Sequence, residues 1–534
     1  MMRASFSEQT ARGRARLLLD TDSYTELLDP FARVESPHLP LQNIVPQSDD
    51  GVITARGTIR GKDALVISIE GGFQGGSIGE VNGAKIAGVL ELSLRGARSG
   101  TLVIPVIVFD SAGIRLQEAN LGLLAVREIH TAIVSLREFV PVIGVIAGRI
   151  GCFGGMAIAA SLCTVLIGTE VGRLGLNGPE VIEQEAGLAE FDSRNRQLIW
   201  ATMGCRRRAE TNQIDKLVAD SMAEVAAAVG DECDPETRIH DRKASRLKSQ
   251  RFDGRSHCFG KIPDASDTTI SRGFSWFHAL TERRNIPGRL PSVLSGEMTA
   301  GSETVRVISV VPNSRADFVR ARAGQIGWEE GWEIARIVRE VVSTNPAENK
   351  CALLAIVDTP GQAFGLQEEQ LGIHQSLSAA VDAYATARAN GHVVVTLIVG
   401  KAISGAFLAH GLQCDAILAL DAPDIEVHVM SQESVARVTR RSPLEIATLA
   451  KTVPSTARDI RSFASLGAVE HLVPCGNPDV PDKRSVQAVR LMVAEILQSI
   501  RSTSREPITS RENNFPEPRK MSLVVRQMLE AQWN

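Results

Sequence analysis

Val106-Ile107-Val108-Phe109-Asp110-Ser111-Ala112-Gly113, followed by Leu116-Gln117-Glu118, is matched about 250 residues later by a second copy of the same pattern. That copy reads Leu353-Leu354-Ala355-Ile356-Val357-Asp358-Thr359-Pro360-Gly361 and continues into Leu366-Gln367-Glu368. Each is an apolar run of strand length that ends in Asp and a glycine turn, then opens a helix. Further along, Val140-Pro141-Val142-Ile143-Gly144-Val145-Ile146-Ala147 leads to Gly151-Cys152-Phe153-Gly154-Gly155-Met156-Ala157. In the second half Val393-Val394-Val395-Thr396-Leu397-Ile398-Val399 leads to Ser404-Gly405-Ala406-Phe407-Leu408-Ala409. A further short strand follows in each, at residues 163–167 and 415–420. A period this long is a duplicated domain and not a solenoid of short repeats. Strands alternating with helices predict layered α/β domains. The dense runs 65–69 and 133–146 predict strands buried on both faces.

The rest of the chain bounds the function. Its 534 residues suffice for two large domains or for three to four smaller ones. With 44% hydrophobic and 22% charged residues the composition is that of a globular protein. A net charge of -4 argues against a nucleic-acid footprint. No apolar run reaches the roughly 18 residues of a membrane span. The eight cysteines are scattered without a C-x-x-C pair, which removes support for zinc ribbons, Fe–S clusters and a disulfide framework. A reducing cytoplasm is the expected setting.

The N-terminal residues 1–16 carry Ser and Arg and a single acid, Glu8, a faint echo of a transit peptide. The favoured reading is a polar leader helix running into Leu17-Leu18-Leu19 and ending near Asp20. Residues 230–272, with the basic run from Asp241 to Arg251, read as a solvated linker, contact with an acidic partner being the alternative. Residues 521–533 read as a frayed terminal helix, docking on a partner helix being the alternative. The expected domains are 1–229 and 273–500, with the linker 230–272 between them and a polar tail 501–534 that ends in a short helix.

A glycine turn at a helix start leaves backbone N–H groups, with the helix dipole behind them, able to meet an oxygen that gains negative charge. Only glycine lets the backbone approach such an oxygen that closely. Gly154-Gly155 and Gly405 have this form, and its recurrence in both halves favours function over tight packing. Gly75-Gly76-Ser77-Ile78-Gly79 fits the G-x-S-x-G nucleophile elbow. Its available partners are poor: His130 sits in an apolar helical stretch and His240 in the linker, so a nucleophilic Ser77 is not favoured.

The segment from Gly75 to Ile86 (GGSIGEVNGAKI) resembles the opening of the carboxyltransferase β module of acyl-CoA carboxylases. Gly113-Ile114-Arg115-Leu116-Gln117-Glu118 and the segment from Gly175 to Gln184 resemble later blocks of that module. Asp358-Thr359-Pro360-Gly361 with Glu368-Glu369, and Ile403-Ser404-Gly405-Ala406, resemble the α module. The finer resemblance is to the biotin-independent malonate decarboxylase β and γ subunits joined in one chain. Gly273-Phe274-Ser275-Trp276-Phe277-His278-Ala279-Leu280 looks like a γ-subunit start, and Val427-His428-Val429-Met430-Ser431 lies in its later part. The resemblance implies an α/β fold of two crotonase-like domains, each a superhelix of ββα units, related by internal duplication. The zinc ribbon of many carboxyltransferase β subunits is missing from the pattern. No biotin-attachment domain is visible, which discriminates little.

What the resemblance implies chemically is decarboxylation of a malonyl thioester on an acyl-carrier subunit, through an enolate, to an acetyl thioester and CO2. Gly154 and Gly155 would hold the thioester oxygen, and Ser404, Gly405 and Ala406 the departing carboxylate. Gly75, Gly76, Ser77, Arg115 and Gly178 are the expected substrate-binding residues. Arg115 suits a phosphate of the pantetheine-type arm, although pairing with Glu118 fits equally well. His428, His374 and Glu433 are proton-donor candidates by motif neighbourhood. No cofactor bound directly and no metal is expected, the CoA-like phosphopantetheine-type group arriving on the acyl-carrier protein. The expected partners are that carrier subunit and a malonate/acetyl carrier transferase subunit, with a homo-oligomer by analogy and neither nucleic acid nor membrane. A biotin-dependent acyl-CoA carboxyltransferase, set apart by its need for carboxybiotin, and a non-catalytic assembly scaffold are the alternatives.

Overall fold

Arg60 and Gly61, both with positive φ (51° and 75°), make the two-residue turn that folds two adjacent runs into a hairpin. The computed structural model describes residues 5–233, 247, 271–345, 350–502 and 515–533. Its first compact unit gathers Met1–Ser249 with two segments from later in the chain, Gly365–Gln375 and Arg519–Asn534. The hairpin strands are β2 (Val52–Ile59) and β3 (Lys62–Ile69), with β1 (Thr25–Leu27) antiparallel on β2. From β3 the sheet continues in parallel through β4 (Ile104–Phe109), β5 (Ile143–Ile146), β6 (Val165–Thr169) and β7 (Lys216–Val218). Its seven strands lie in sequence order. β4 is buried along its whole length, as a parallel strand covered on both faces must be. One face packs Ala15 and Leu18 of the leader helix, Ala11–Leu18, against Val66, Val106, Val145 and Ile167.

The second unit, Gln250–Phe364 with Ser376–Pro518, repeats this plan. β8 (Asn285–Ile286), β9 (Val293–Ala300) and β10 (Glu303–Val310) are antiparallel. The parallel part runs through β11 (Ala352–Thr359), β12 (Val394–Ile403), β13 (Ala416–Leu420) and β15 (His471–Val473), while β14 (Glu426–His428) pairs with β12. The duplication extends to single hydrogen bonds. Ile78 N–H donates to Gly113 O at 2.8 Å, and Ile326 N–H to Gly361 O at 3.0 Å. At the following helix start Asn82 Oδ1 accepts from Gly79 N–H at 2.8 Å, and Glu330 Oε2 from Gly327 N–H at 3.0 Å. The protein is thus α/β, with two units of the same ββα plan related by internal duplication.

Two expectations need correction. The run 133–146 is not one strand: Ile133 to Leu136 end the helix Ala119–Leu136, and only Ile143–Ile146 is extended. That helix is buried on nearly every side, so its apolar residues carry no helical period to set it apart from a buried strand. Of the proposed linker, residues 234–246 and 248–270 lie outside the described residues, as do 503–514 of the tail. Among the described residues no helix is long and apolar enough to cross a membrane, and no group of three His, Cys, Asp or Glu is placed to hold a metal ion.

The terminal helix, Lys520–Trp533, is docked and not frayed. Val525 and Leu529 are buried, and Leu529 lies where a Cβ on Gly88 of the helix Glu80–Arg98 would fall. Ser522 N–H donates to Glu80 Oε1 at 2.8 Å. Arg526 grips Glu91 through two bonds of 2.8 Å and reaches Glu128 at 2.8 Å, where Arg519 also pairs. Burial raises the Glu128 carboxyl, but Arg519, Arg526 and Arg127 outweigh it and draw it from 4.5 down to about 2. Stability from this tie is therefore complete above the unfolded value of 4.5 and is lost as pH falls toward 2. Replacing Glu128 by Gln leaves two cations underpaired. Urea unfolding at pH 7 should show a loss of about 3 kcal/mol and a flatter acid limb below pH 4.5. Unchanged stability at pH 7 would contradict the assignment.

Candidate active site

In parallel sheets ligands gather beyond the carboxyl ends of the strands, where loops from several strands meet. In the first unit those loops interlock. After β3, residues Gln74–Gly76 form a tight turn in which Gln74, Gly75 and Gly76 all have positive φ. A Cβ on Gly76 would sit 1.9 Å from Asp110 O, so only glycine fits. Gly75 O accepts from Ala112 N–H at 2.9 Å, and Ser111 O from Phe153 N–H at 2.9 Å. The sequence-derived glycines Gly75, Gly76, Gly154 and Gly155 are thereby brought into one set of loops after β3, β4 and β5.

Gly154, at φ 60°, opens the helix Gly155–Leu162. Its own N–H is engaged, donating to Leu176 O at 2.9 Å, which corrects the expectation that Gly154 supplies a donor. The first N–H groups of a helix have no acceptor within it. Those of Gly155 and Met156 also meet no acceptor among the described residues. They are the open pair, with the helix dipole behind them. The carbonyl of the Gly155–Met156 peptide is held in turn by His130 Nε2 at 2.8 Å.

In the second unit Ser404 has the same positive φ as Gly154, 60°, though it is not glycine. A non-glycine residue held there costs about 1–3 kcal/mol and persists only where its surroundings impose it. Here the expectation for Gly405 fails: its N–H donates to Gln362 Oε1 at 3.1 Å and is not open. Ala406 follows in the same short helix, Ser404–Ala409. Pairing of β12 with β14 sets Ile403 opposite His428, beside this turn.

The remaining expected site residues separate. Arg115 does not reach for a phosphate. It is fully buried and pairs with Asp50 at 2.8 Å and Glu118 at 2.7 Å, so the structure decides for the Glu118 partner. Burial pushes the Asp50 carboxyl up to about 7, against the pull of Arg115. Ser77 is no nucleophile, since its hydroxyl donates to Gln74 O at 2.6 Å. Gly178 caps the helix Pro179–Ala186 with Pro in its first turn. His428 is not an acid near neutral pH: burial, with Arg458 nearby, lowers it to about 3, and its Nδ1 lies between Met430 O at 3.2 Å and Met430 N–H at 3.3 Å. His374 is buried in the first unit, and Glu433 is exposed in the first turn of Gln432–Thr439.

Sequence reasoning missed the residue that holds the Gly154 turn from behind. Glu369, contributed to the first unit by the second half of the chain, is fully buried. Its carboxylate accepts from Asn177 N–H at 2.6 Å and Leu176 N–H at 3.2 Å, and pairs with Arg208 at 3.3 Å. Leu176 is the residue whose carbonyl holds Gly154. Arg208 also donates to Leu174 O at 2.8 Å, Gln213 Oε1 at 2.6 Å and Glu369 O at 2.6 Å. Burial raises the Glu369 carboxyl to about 7 against the pull of Arg208 and the two N–H groups. The one available signal was its place in the Glu368-Glu369 pair.

Comparison with known proteins gives a consistent set of likenesses. Residues 5–217 match the carboxyl transferase domain family, and residues 321–533 match the malonate decarboxylase gamma subunit family. The malonyl-S-ACP:biotin-protein carboxyltransferase MADC of Malonomonas rubra is 43% identical over 228 residues, 41% of this chain and 72% of that one. MADD of the same organism, described in the same words, is 38% identical over 190 residues, 34% of this chain and 64% of that one. Among solved structures, a chain of a Pseudomonas malonate decarboxylase hetero-tetramer in complex with malonate is 50% identical. The alignment covers 48% of this chain and 94% of that chain at a TM-score of 0.45.

Replacing Glu369 by Gln keeps the shape and removes the charge from this cluster. Arg208 retains three other acceptors, so the expected loss in chemical unfolding is about 2–3 kcal/mol, below the full range for a broken buried pair. A loss under about 0.5 kcal/mol, the size usual for surface substitutions, would show that Glu369 does not hold the loop.

Proposed function

Because the chain belongs to the malonate decarboxylase-type carboxyltransferases, with both subunit types fused in one polypeptide, we propose that it decarboxylates a malonyl thioester without biotin. The substrate is carried on an acyl-carrier subunit through a CoA-like arm, and a separate transferase subunit loads the malonate. The observation that carries this reading is the open donor pair, Gly155 and Met156 N–H, at the head of the helix Gly155–Leu162. When the bond between the carboxyl carbon and C2 breaks, its electron pair stays with the acyl fragment, forming the C1–C2 double bond as the carbonyl pair moves onto the thioester oxygen, while the carboxylate leaves as CO2. The thioester oxygen becomes the enolate oxygen, and two fixed N–H groups lower the energy of that charge. Protonation at C2 then gives the acetyl thioester. No nucleophile is needed, in keeping with the engaged hydroxyl of Ser77. On this reading the chain is a carbon–carbon lyase of the cytoplasm.

A second reading is favoured by the names of the relatives MADC and MADD, which are malonyl-S-ACP:biotin-protein carboxyltransferases. There the same enolate forms, but the carboxyl group passes to a biotin on another protein.

The purified chain is incubated with malonyl thioester, on carrier protein or coenzyme A, and CO2 and acetyl thioester are followed without biotin. We expect turnover, and a fall of roughly 100- to 1,000-fold in a Gly155→Val variant, the cost of a lost oxyanion donor. Carboxyl exchange only when carboxybiotin is supplied would select the second reading. Inactivity in both assays would leave a non-catalytic scaffold.

A further inference from the structure

We infer that His130 is a positioning residue for the oxyanion turn: its Nε2–H holds the carbonyl of Gly155 and so fixes and strengthens Met156 N–H, the other end of that peptide unit, as a donor to the enolate. The inference rests on the reading above, in either of its two forms. His130 lies in the helix Ala119–Leu136, fully buried, with Nε2 2.8 Å from Gly155 O. A carbonyl only accepts, so Nε2 carries the proton and the tautomer is determined. Nδ1 then has a bare lone pair, and it meets no partner among the described residues.

That arrangement has a cost. A buried nitrogen without a hydrogen bond works against folding. A helix position asked only to fill space would be served better by Leu or Phe, and the neighbours Ile129, Ala132 and Ile133 are of that kind. What His130 gains for the protein is the bond to Gly155 O. Within a peptide unit, a hydrogen bond accepted by the carbonyl polarises the whole amide and makes its N–H a stronger donor. The Gly155 carbonyl and the Met156 N–H belong to one such unit, and the latter is one of the two open donors. Rigid aim matters equally, since preorganised donors stabilise a developing charge without reorganising as it forms.

His130 does this as a neutral ring. Burial lowers it to about 4, only partly offset by the Gly155 bond, so it changes charge nowhere in the working range. It is therefore not an acid or base of the reaction. The second unit is built differently at the matching place, where Gly405 N–H is already capped by Gln362.

The test uses the whole chain, malonyl thioester and steady-state kinetics. His130→Leu should lower kcat about tenfold, less than loss of a donor outright. KM should stay within about twofold, as expected for an interaction that acts on the transition state. The pH profile of kcat from 5.5 to 8.5 should keep its shape. His130→Gln, whose amide can still donate to Gly155 O, should recover most of the rate. A Leu variant with wild-type kcat, or a Gln variant no better than Leu, overturns the inference while leaving the proposed function standing. Wild-type protein inactive on malonyl thioester, with and without carboxybiotin, removes both together. Should the Leu variant fail to fold, histidine nitrogen NMR of the wild type decides. The resonance missing from the Gln variant should report an Nε2–H tautomer throughout that pH range, and an Nδ1–H tautomer overturns the inference.

Discussion

Each unit is organised around a carboxylate at the end of its central strand. Asp110, just past β4, accepts from Ile150 N–H at 2.9 Å and pairs with Arg14 of the leader helix at 3.2 Å. Asp358, at the end of β11, accepts from Lys401 N–H at 3.3 Å and from Gly273 N–H at 3.1 Å. One buried or half-buried carboxylate thus ties the loop after the next strand to the helix Ala11–Leu18 in the first unit, and the last residues of β12 to the helix Arg272–Thr281 in the second. It also dictates where glycine must stand. A Cβ on Gly148 would lie 2.1 Å from the Asp110 carboxyl carbon, and one on Gly400 would lie 2.0 Å from Asp358 Oδ1. The small-residue turns that follow are thus consequences of satisfying an acid in a place with little water.

From that common frame the two units diverge in chemistry. Both set a residue at φ 60° at the head of the helix that follows the turn, glycine in one case and serine in the other. In the first, the next two N–H groups meet no acceptor among the described residues, and the residue after Gly113 is Ile114, whose side chain has no acceptor to offer. In the second, the residue after Gly361 is Gln362, and its amide oxygen caps Gly405. At these matched positions an apolar side chain stands in the first unit and an amide that caps the turn in the second. Duplication has preserved the backbone and altered its availability.

The duplication was legible because strand, Asp and glycine turn recur in the same order and are local in sequence. The glycines at 154 and 155 were legible for the same reason, while the division of labour between them was not. Whether Gly154 or Gly155 donates depends on Leu176 O, more than twenty residues on, which no local pattern reveals. Arg115 looked suited to a phosphate because its type suits one, but its partner Asp50 lies far back in the chain. His130 was weighed only as a base for Ser77, and its actual partner is a backbone carbonyl, to which a residue-type search is blind. The dense run 133–146 misled because helices buried on every side lose the period that identifies them.

The assignment of Gly365–Gln375 to the first unit bears on why both halves occupy one chain. The loop that holds Gly154 is itself held by Glu369, and Arg208 is buried where that carboxylate lies. A first half lacking this segment would leave a guanidinium in the interior without its counter-charge, at a cost of several kcal/mol. It would also leave Leu176 and Asn177 N–H groups without their acceptor. The conformation of the Gly154–Gly155 turn is therefore not a property of the first half alone. Joining the halves covalently makes docking of the segment an intramolecular event, favoured at any protein concentration. Fusion thus guarantees that wherever the donor pair forms, the residues that hold its supporting loop are present in the same molecule.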